Sequence, residues 1–237
     1  MSPLRPSSGQ ATSTSSGQAS TTPRSALLLY GIVAEDAPLA AEHGMQLIKA
    51  AKLAAIVKSG EPEISHESAV VLAFGEQVMR IHQQTALIPM RYGSVLADEY
   101  AVTQHLLNHE EGYRTRLAML ANCEEMGIRL PLDSASDNTV TMPQVSGHDY
   151  LLGRKRAYAV PEHVEQQATL LNNALTGLYR QHCAEISVFN GQRTYLLSYL
   201  VPRTELQAFR DKLNALADSI TDIGFISGPW PPYNFAS

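Results

Sequence analysis

The alternation of apolar and polar residues in the first half of the chain predicts short strands and amphipathic helices. A continuous apolar run at 27–34 predicts a strand buried on both faces. A second run at 53–58 predicts another strand, with an Ala-rich helix as the alternative. Between 66 and 83, apolar residues recur at steps of three and four, which predicts a helix with Ser65 as its N-cap. Residues 87–95 then predict a strand whose proline favours an edge position or a strand start.

The next stretch predicts one long helix and one strand. Residues 98–121 carry an apolar seam at helical spacing, and His109 falls on that seam. Residues 124–130 predict a strand that closes the first group of elements. After it, residues 131–147 are rich in Pro, Gly, Asp and Ser, a composition typical of a linker. The linker divides the chain into two domains.

The second half predicts a helix, a hairpin, a helix and a strand. Pro161 suits the first turn of a helix over 161–182. Asn190-Gly191 separates two β-like runs, which is the strongest short hairpin signal. Thr204 and Gln207 form a capping-box pattern at the start of a helix over 204–219, and 222–227 predicts the last strand. This order is typical of a ferredoxin-like split βαβ unit whose first strand is weak or missing, with 157–160 as the candidate for that strand.

The predicted fold class is therefore α+β with two domains and antiparallel sheets packed by helices. Residues 1–25 contain almost nothing apolar, so we expect a disordered Ser/Thr-rich leader outside the fold. The N-terminal mixed α+β domain is predicted over 26–130. The linker at 131–147 precedes a C-terminal ferredoxin-like domain at 148–237.

Composition narrows the classes of partner. The formal net charge of −5 and the pI near 5.9 give no general attraction to nucleic acid or to an anionic membrane. No apolar run approaches the roughly 20 residues that span a bilayer, and no signal peptide is recognisable. Cys123 and Cys183 have no CxxC partner, so both are expected to be buried thiols of a cytosolic protein, not disulfide-bonded.

Catalytic and metal-binding motifs are not found in the sequence. It has no Walker A loop, GxGxxG, GxSxG or HExxH pattern and no zinc spacing. Glu124 and Glu125 are adjacent, so they point apart on a strand and cannot act as an acid/base pair. His105 and His109 are spaced for a shared metal, but two ligands without a third are weak evidence. We therefore predict no enzymatic activity, no cofactor and no metal.

The most unusual stretch is Gly228-Pro229-Trp230-Pro231-Pro232-Tyr233-Asn234-Phe235, which holds the only Trp and three of the 13 prolines. Its prolines fix φ and remove N–H donors, so the stretch is stiff and excluded from helices and central strands. Its aromatic rings carry large apolar area. Two interpretations remain open. The stretch either staples the C-terminus to its own domain or presents a surface to a partner.

The same stretch resembles the "GPWPPYSF" ending of the gas vesicle protein GvpF/GvpL family. Residues 87–95 are similar to that family's "vLPvRFGtv" block, and 27–34 to its opening strand. Matching blocks extend from 27 to 235. The resemblance implies a two-domain α+β protein that acts as a minor shell-associated or assembly protein of the gas vesicle, cytoplasmic before assembly.

From this resemblance we hypothesise a non-enzymatic protein that binds the hydrophobic shell subunit or other minor vesicle proteins. Arg91 has two interpretations, either closing polar groups inside the domain or acting as an exposed recognition residue. The alternatives are a small-molecule enzyme or ligand sensor with an inter-domain pocket and a homo-oligomerising scaffold. The candidate partner-binding and family-motif residues are Tyr30, Arg91, Tyr92, Gly93, Gly228, Pro229, Trp230, Pro231, Pro232, Tyr233 and Phe235.

Overall fold

The computed structural model describes residues 26–39, 44–60, 64–132, 160–217 and 223–236. It confirms the α+β class, with two antiparallel sheets and helices packed on them. In the first sheet the strand order is β2-β3-β1-β4, and β5 also pairs with β1. Its strands are β1 (Ala26–Ala34), β2 (Gln46–Ala50), β3 (Leu53–Gly60), β4 (Ile88–Pro89) and β5 (Val95–Leu96).

The second sheet has the strand order β7-β8-β6-β9, and every neighbouring pair is antiparallel. A helix lies between β6 and β7 in the chain and another between β8 and β9. The elements are β6 (Cys123–Pro131), α4 (Glu162–Ala174), β7 (Gln181–Phe189), β8 (Gln192–Pro202), α5 (Leu206–Ala217) and β9 (Phe225–Trp230).

The interpretation of 124–130 as the closing strand of the first domain was wrong. Strand β6 pairs with β8 along its whole length and with β9 on its other side, so it is a central strand of the second sheet. It lies between β8 and β9 in that sheet. Most of the earlier candidate at 157–160, the linker at 131–147 beyond Leu132, and the leader lie outside the described residues.

Helix α1 (Ser68–Gln84) is confirmed, but its first residue comes later than expected. Its N-cap residue is Glu67 and not Ser65, because the Ser65 hydroxyl accepts a hydrogen bond from the Glu67 N–H at 3.2 Å before the helix begins. The predicted strand at 87–95 was wrong in its centre. A turn closed by the Ser94 N–H and the Arg91 carbonyl at 3.1 Å divides it into β4 and β5.

The predicted helix at 98–121 is two helices, α2 (Glu99–Asn108) and α3 (Glu110–Leu120). The backbone of His109, with φ −118° and ψ 13°, separates them, and its side chain is exposed and not on the apolar seam. The predicted helix at 161–182 was too long. Helix α4 ends at Ala174, and Gly177 adopts φ +89°, a conformation that leads the chain into β7.

The hairpin at Asn190-Gly191 is confirmed, with positive φ angles of 50° and 78° that a two-residue turn between twisted strands requires. The capping box at Thr204 was wrong. A short 3₁₀ turn, Arg203–Glu205, precedes α5, and the Thr204 hydroxyl donates to the Glu205 carboxylate at 3.3 Å. Among the helices of the described ranges, none is long and apolar enough to cross a membrane.

Within the described ranges, the buried apolar residues form three clusters. One lies between α1 and the first sheet and contains Phe74, Val78 and Ile81. A second lies between the second sheet and its helices. The third combines residues of both halves, because Leu200 of the second sheet and Phe235 of the C-terminus pack with strands of the first sheet and with α2 and α3.

A substitution at Gly31 tests the close approach of β1 to β4. A Cβ at this position would lie 2.3 Å from Leu87 Cδ1 and 2.8 Å from the Ile88 carbonyl oxygen. We expect Gly31→Ala to lower the free energy of unfolding by about 1–3 kcal/mol, because backbone must move to admit the methyl group. Urea unfolding of the full chain measures this change.

The matched control is Gly60→Ala at the end of β3, where a Cβ would meet nothing within 4 Å. An equal effect of the two substitutions would contradict the close approach of β1 and β4.

Candidate functional site

The C-terminal stretch is docked on its own protein. Asn234 donates its backbone N–H to Glu125 Oε2 at 2.9 Å and its side-chain Nδ2–H to Glu125 Oε1 at 2.6 Å. The same Nδ2 lies 2.9 Å from Ser198 Oγ, within hydrogen-bond distance. Burial raises the pKa of Glu125, and the Asn234 and Ser198 donors oppose that rise. The buried carboxylate of Glu125 therefore has its hydrogen-bond partners on the terminal segment and on β8.

The last aromatic residues of the stretch are also held internally. Phe235 is buried in the shared core, and the Arg116 guanidinium donates to its carbonyl at 3.0 Å. Tyr233 packs against the cluster that contains Phe74, and burial together with the Glu125 charge raises its pKa to about 12. Pro231 and Pro232 are buried as well. These contacts support the staple interpretation for 231–235.

Trp230 differs from its neighbours because 49% of its surface remains exposed. It is the last residue of β9, an edge strand, where it pairs with Glu125 of β6. The preceding Gly228 has φ +109°, and the Gly228–Pro229 peptide bond is cis. The edge position agrees with the exclusion of this proline-rich stretch from central strands.

Trp230 forms one wall of an apolar groove of about 500 Å³. The opposite wall is the outer side of α1, away from Phe74, Val78 and Ile81. On that side Leu72 is 66% exposed. The groove is lined by Val71, Leu72, Gly75, Glu76, Met79, Arg80, Trp230, Pro231 and Tyr233. We call it the α1–Trp230 groove.

The candidate residues near β1 and β4 are only partly accessible. Tyr30 is buried and stacks on Phe74, with ring centroids 4.5 Å apart. The Tyr92 hydroxyl donates to the Ser65 carbonyl at 2.8 Å, and its ring meets Phe74 edge-on. Gly93 has φ +93°, as its turn requires. The side chain of Arg91 is exposed.

A buried polar cluster that sequence analysis missed connects α1 to the second sheet. Glu124 Oε2 lies 2.8 Å from His82 Nε2, and Glu124 Oε1 accepts from Arg203 Nε at 2.7 Å. Arg203 Nη2 also donates to the His82 carbonyl at 2.7 Å. Burial acts to raise the pKa of Glu124, but the hydrogen bonds and charges of His82 and Arg203 outweigh it and lower that pKa.

Among the residues that the structure describes, the remaining titratable groups do not assemble into a recognisable reactive centre. The Tyr113 hydroxyl lies 2.7 Å from His105 Nε2, and His109 Nδ1 lies 2.8 Å from the His105 carbonyl. Within the described ranges, no three His, Cys, Asp or Glu side chains are grouped to hold a metal. The expectation that both cysteines are buried was wrong for Cys183, which is exposed because β7 is an edge strand.

Sequence analysis identified the Trp230 wall of the groove and missed the wall on α1. Val71 belongs to the apolar residues at steps of three and four that predicted α1 and its apolar face, yet it is 39% exposed and lines the groove. A signal was present, since Val70, Val71 and Leu72 are consecutive and cannot all face one side of a helix. All three are exposed in the structure, and Val71 and Leu72 line the groove.

Comparisons with known proteins agree with this architecture. The family model described as gas vesicle synthesis protein GvpL/GvpF matches residues 26–237. The crystal structure of gas vesicle protein GvpF from Microcystis aeruginosa is similar at a TM-score of 0.67 and 15% identity, over 90% of this chain and 99% of that chain. That of GvpF from Anabaena sp. PCC7120 has a TM-score of 0.66 and 16% identity, over 90% and 98%. A search of curated protein sequences gave no match.

Asn234 tests the staple. We expect Asn234→Ala to lower the free energy of unfolding by about 1–3 kcal/mol, because it removes a donor from the buried Glu125 carboxylate. Urea unfolding compares it with Asn214→Ala, whose side chain is exposed on α5. If the two variants unfold alike, Asn234 does not hold the C-terminus.

The pH dependence of stability in a Glu124→Gln variant tests the buried polar cluster. Because the folded-state pKa of Glu124 is lowered, Glu124 contributes stability above the unfolded-state pKa of about 4.3 and loses that contribution as pH falls through the folded value. We expect Glu124→Gln to be less stable than wild type by about 1–3 kcal/mol at pH 7, with the difference shrinking toward pH 3.

Urea unfolding at several pH values measures this difference. Glu111→Gln, an exposed residue of α3, is the control. A stability difference for Glu124→Gln that stays constant from pH 7 to pH 3 would contradict the ion pairing described for Glu124.

Proposed function

The chain belongs to the gas vesicle synthesis protein GvpL/GvpF family, and from this premise we propose that it is a non-enzymatic accessory protein that binds the hydrophobic shell subunit. The proposed binding surface is the α1–Trp230 groove. The observation that carries the proposal is the joint exposure of Leu72 and Trp230 across this apolar groove. The proposed place of action is the gas vesicle, with the protein cytoplasmic before assembly.

The exposed apolar side chains of the groove are contiguous, which indicates a binding surface. Single exposed apolar residues are normal, but contiguous apolar patches on folded proteins mark sites of interaction. Val71, Leu72, Met79 and Trp230 line one groove, and only Glu76 and Arg80 are charged among its lining residues. A shell subunit with a hydrophobic side would aggregate unless that side is covered before it joins the wall. The groove offers such cover for part of it.

The earlier set of candidate residues divides accordingly. We propose Trp230 and Tyr233 as partner-contacting residues, since both line the groove and neither is fully buried. Pro231 lines the groove but is buried, so its role is to support that wall. Tyr30 and Phe235 act in packing, because both are buried. Arg91 and Tyr92 remain a second proposed contact at the exposed turn after β4.

The domain organisation proposed for this function differs from a simple division at the linker. We assign β6, α4, β7, β8, α5 and β9 to a ferredoxin-like domain, because their order and antiparallel pairing follow the split βαβ pattern. The first domain then ends with α3. The groove lies between α1 of the first domain and β9 of the second, so an occupant would contact both.

Trp230→Ala tests the groove as a binding surface. We expect it to weaken co-purification of the full chain with co-expressed shell subunit at least about tenfold, because a buried aromatic anchor at an interface contributes about 2 kcal/mol or more. Circular dichroism melts of the purified variants check that the fold is kept.

The matched control is Phe225→Ala. Phe225 lies on the same strand and is equally exposed at 49%, but it stacks on Phe189 and does not line the groove. If both variants retain the shell subunit as wild type does, the groove is not the binding surface. If wild type itself does not bind the shell subunit, the proposed function is wrong.

A further inference from the structure

We propose that the α1–Trp230 groove binds an amphipathic helix of its partner, with large apolar residues along one side and a basic residue that complements Glu76. This inference rests on the proposed function and names the kind of segment that the site accepts. Three features of the groove carry it: its length, its lack of backbone partners, and a glycine in its α1 wall.

The groove runs along α1 for about two turns. Its α1 wall is the row Leu72, Gly75, Glu76 and Met79, whose steps of three and four place them on one side of the helix. At 1.5 Å per residue, Leu72 and Met79 lie about 10 Å apart along the axis. A docked helix presents its apolar side chains at i, i+3 or i+4, and i+7, which span the same length.

The walls offer little for an extended peptide to pair with. The backbone of α1 is bonded within the helix, and Pro231 and Pro232 have no N–H. The Tyr233 N–H already donates to the Pro231 carbonyl at 2.8 Å. An extended segment would bury unsatisfied backbone groups here, which is costly, whereas a helix satisfies its own. The groove therefore favours a helix.

Gly75 has no packing role against the residues that the structure describes. It lies in the middle of α1, where glycine is less favourable than alanine, and a Cβ added to it would meet nothing within 4 Å. The space that its missing side chain leaves belongs to the groove. A glycine at such a position allows the close approach of another backbone. We infer that the approaching element is the partner helix.

Charge adds one requirement for that helix. Glu76 is exposed in the α1 wall of the groove, whereas the Arg80 guanidinium already donates to the side-chain carbonyl of Gln77. A basic residue three or four positions from an apolar residue of the partner helix lies on the same side of that helix and complements Glu76.

The test separates stability from binding at Gly75. Gly75→Ala is expected to raise Tm by about 2–4 °C, because alanine is the better helix former. Gly75→Leu is expected to keep the fold and to weaken binding of the shell subunit at least about tenfold, because its side chain fills the groove. Gly112→Leu on α3, where a Cβ also meets nothing within 4 Å, is the matched control and is expected to bind normally.

The conformation of the occupant is tested on the shell subunit itself. Amide hydrogen exchange of the wild-type complex identifies the protected segment, and two synthetic peptides of that segment are compared, one free and one closed into a helix by an i, i+4 lactam. We expect the lactam peptide to bind the full chain more tightly. Weaker binding of the lactam peptide overturns the helix proposal.

The outcomes distinguish this inference from the proposed function. If wild type and Gly112→Leu bind the shell subunit and Gly75→Leu binds equally well, the helix-in-groove inference is overturned while the proposed function stands. If wild type does not bind the shell subunit, both are overturned. Loss of binding by Gly75→Leu at an unchanged Tm, with preference for the lactam peptide, supports both.

Discussion

Two consecutive carboxylates on β6, those of Glu124 and Glu125, tie α1 and the C-terminal segment to the second sheet. Because neighbouring residues of a strand point to opposite faces, Glu124 and Glu125 serve different partners. Glu124 joins the end of α1, through His82, to Arg203 after β8. Glu125 receives the C-terminal segment through Asn234. Buried carboxylates are costly unless hydrogen-bonded, so each fixes the element that supplies its donors. Helix α1 and the C-terminal stretch, which form the groove, are thereby both tied to one strand.

The sequence predicted most elements and misplaced the one that organises them. Continuous or periodic apolar runs identified β1, β3, α1 and the Asn190-Gly191 hairpin, since local pattern determines these elements. Strand β6 was recognised as a strand, but its assignment to a sheet depends on β8 and β9, which lie roughly 70 to 100 residues further along the chain. An alternating pattern shows that a strand forms and does not show its partners. This is why the sequence pattern assigned β6 to the first domain although it pairs in the second sheet.

The candidate site was predictable to a similar extent. The clustering of Trp230 with prolines marked the terminal stretch. The structure supports the staple interpretation for part of it, and the partner surface stays a prediction. Phe235 and Asn234 staple the terminus, while Trp230 stays exposed beside α1. Their separation could not be read from residue types, because it depends on which side chains reach Glu125 and the shared core. Leu72 and Gly75 were missed for the same reason: their surface becomes a groove only when Trp230 packs across from them.

The proposed binding surface therefore couples partner binding to stability. The Trp230 wall is positioned by the staple, so a change at Asn234 that releases the terminus also opens the groove without touching its lining. Conversely, an occupant that contacts both α1 and Trp230 binds only the docked state, and ligands that bind one state stabilise it in proportion to their occupancy. If an Asn234 variant lost the partner, the cause would be release of the terminus. Gly75 lies on the opposite wall, where an added Cβ would meet nothing within 4 Å. The binding surface is therefore best identified with substitutions such as those at Gly75, which are expected to leave the docking of the terminus intact.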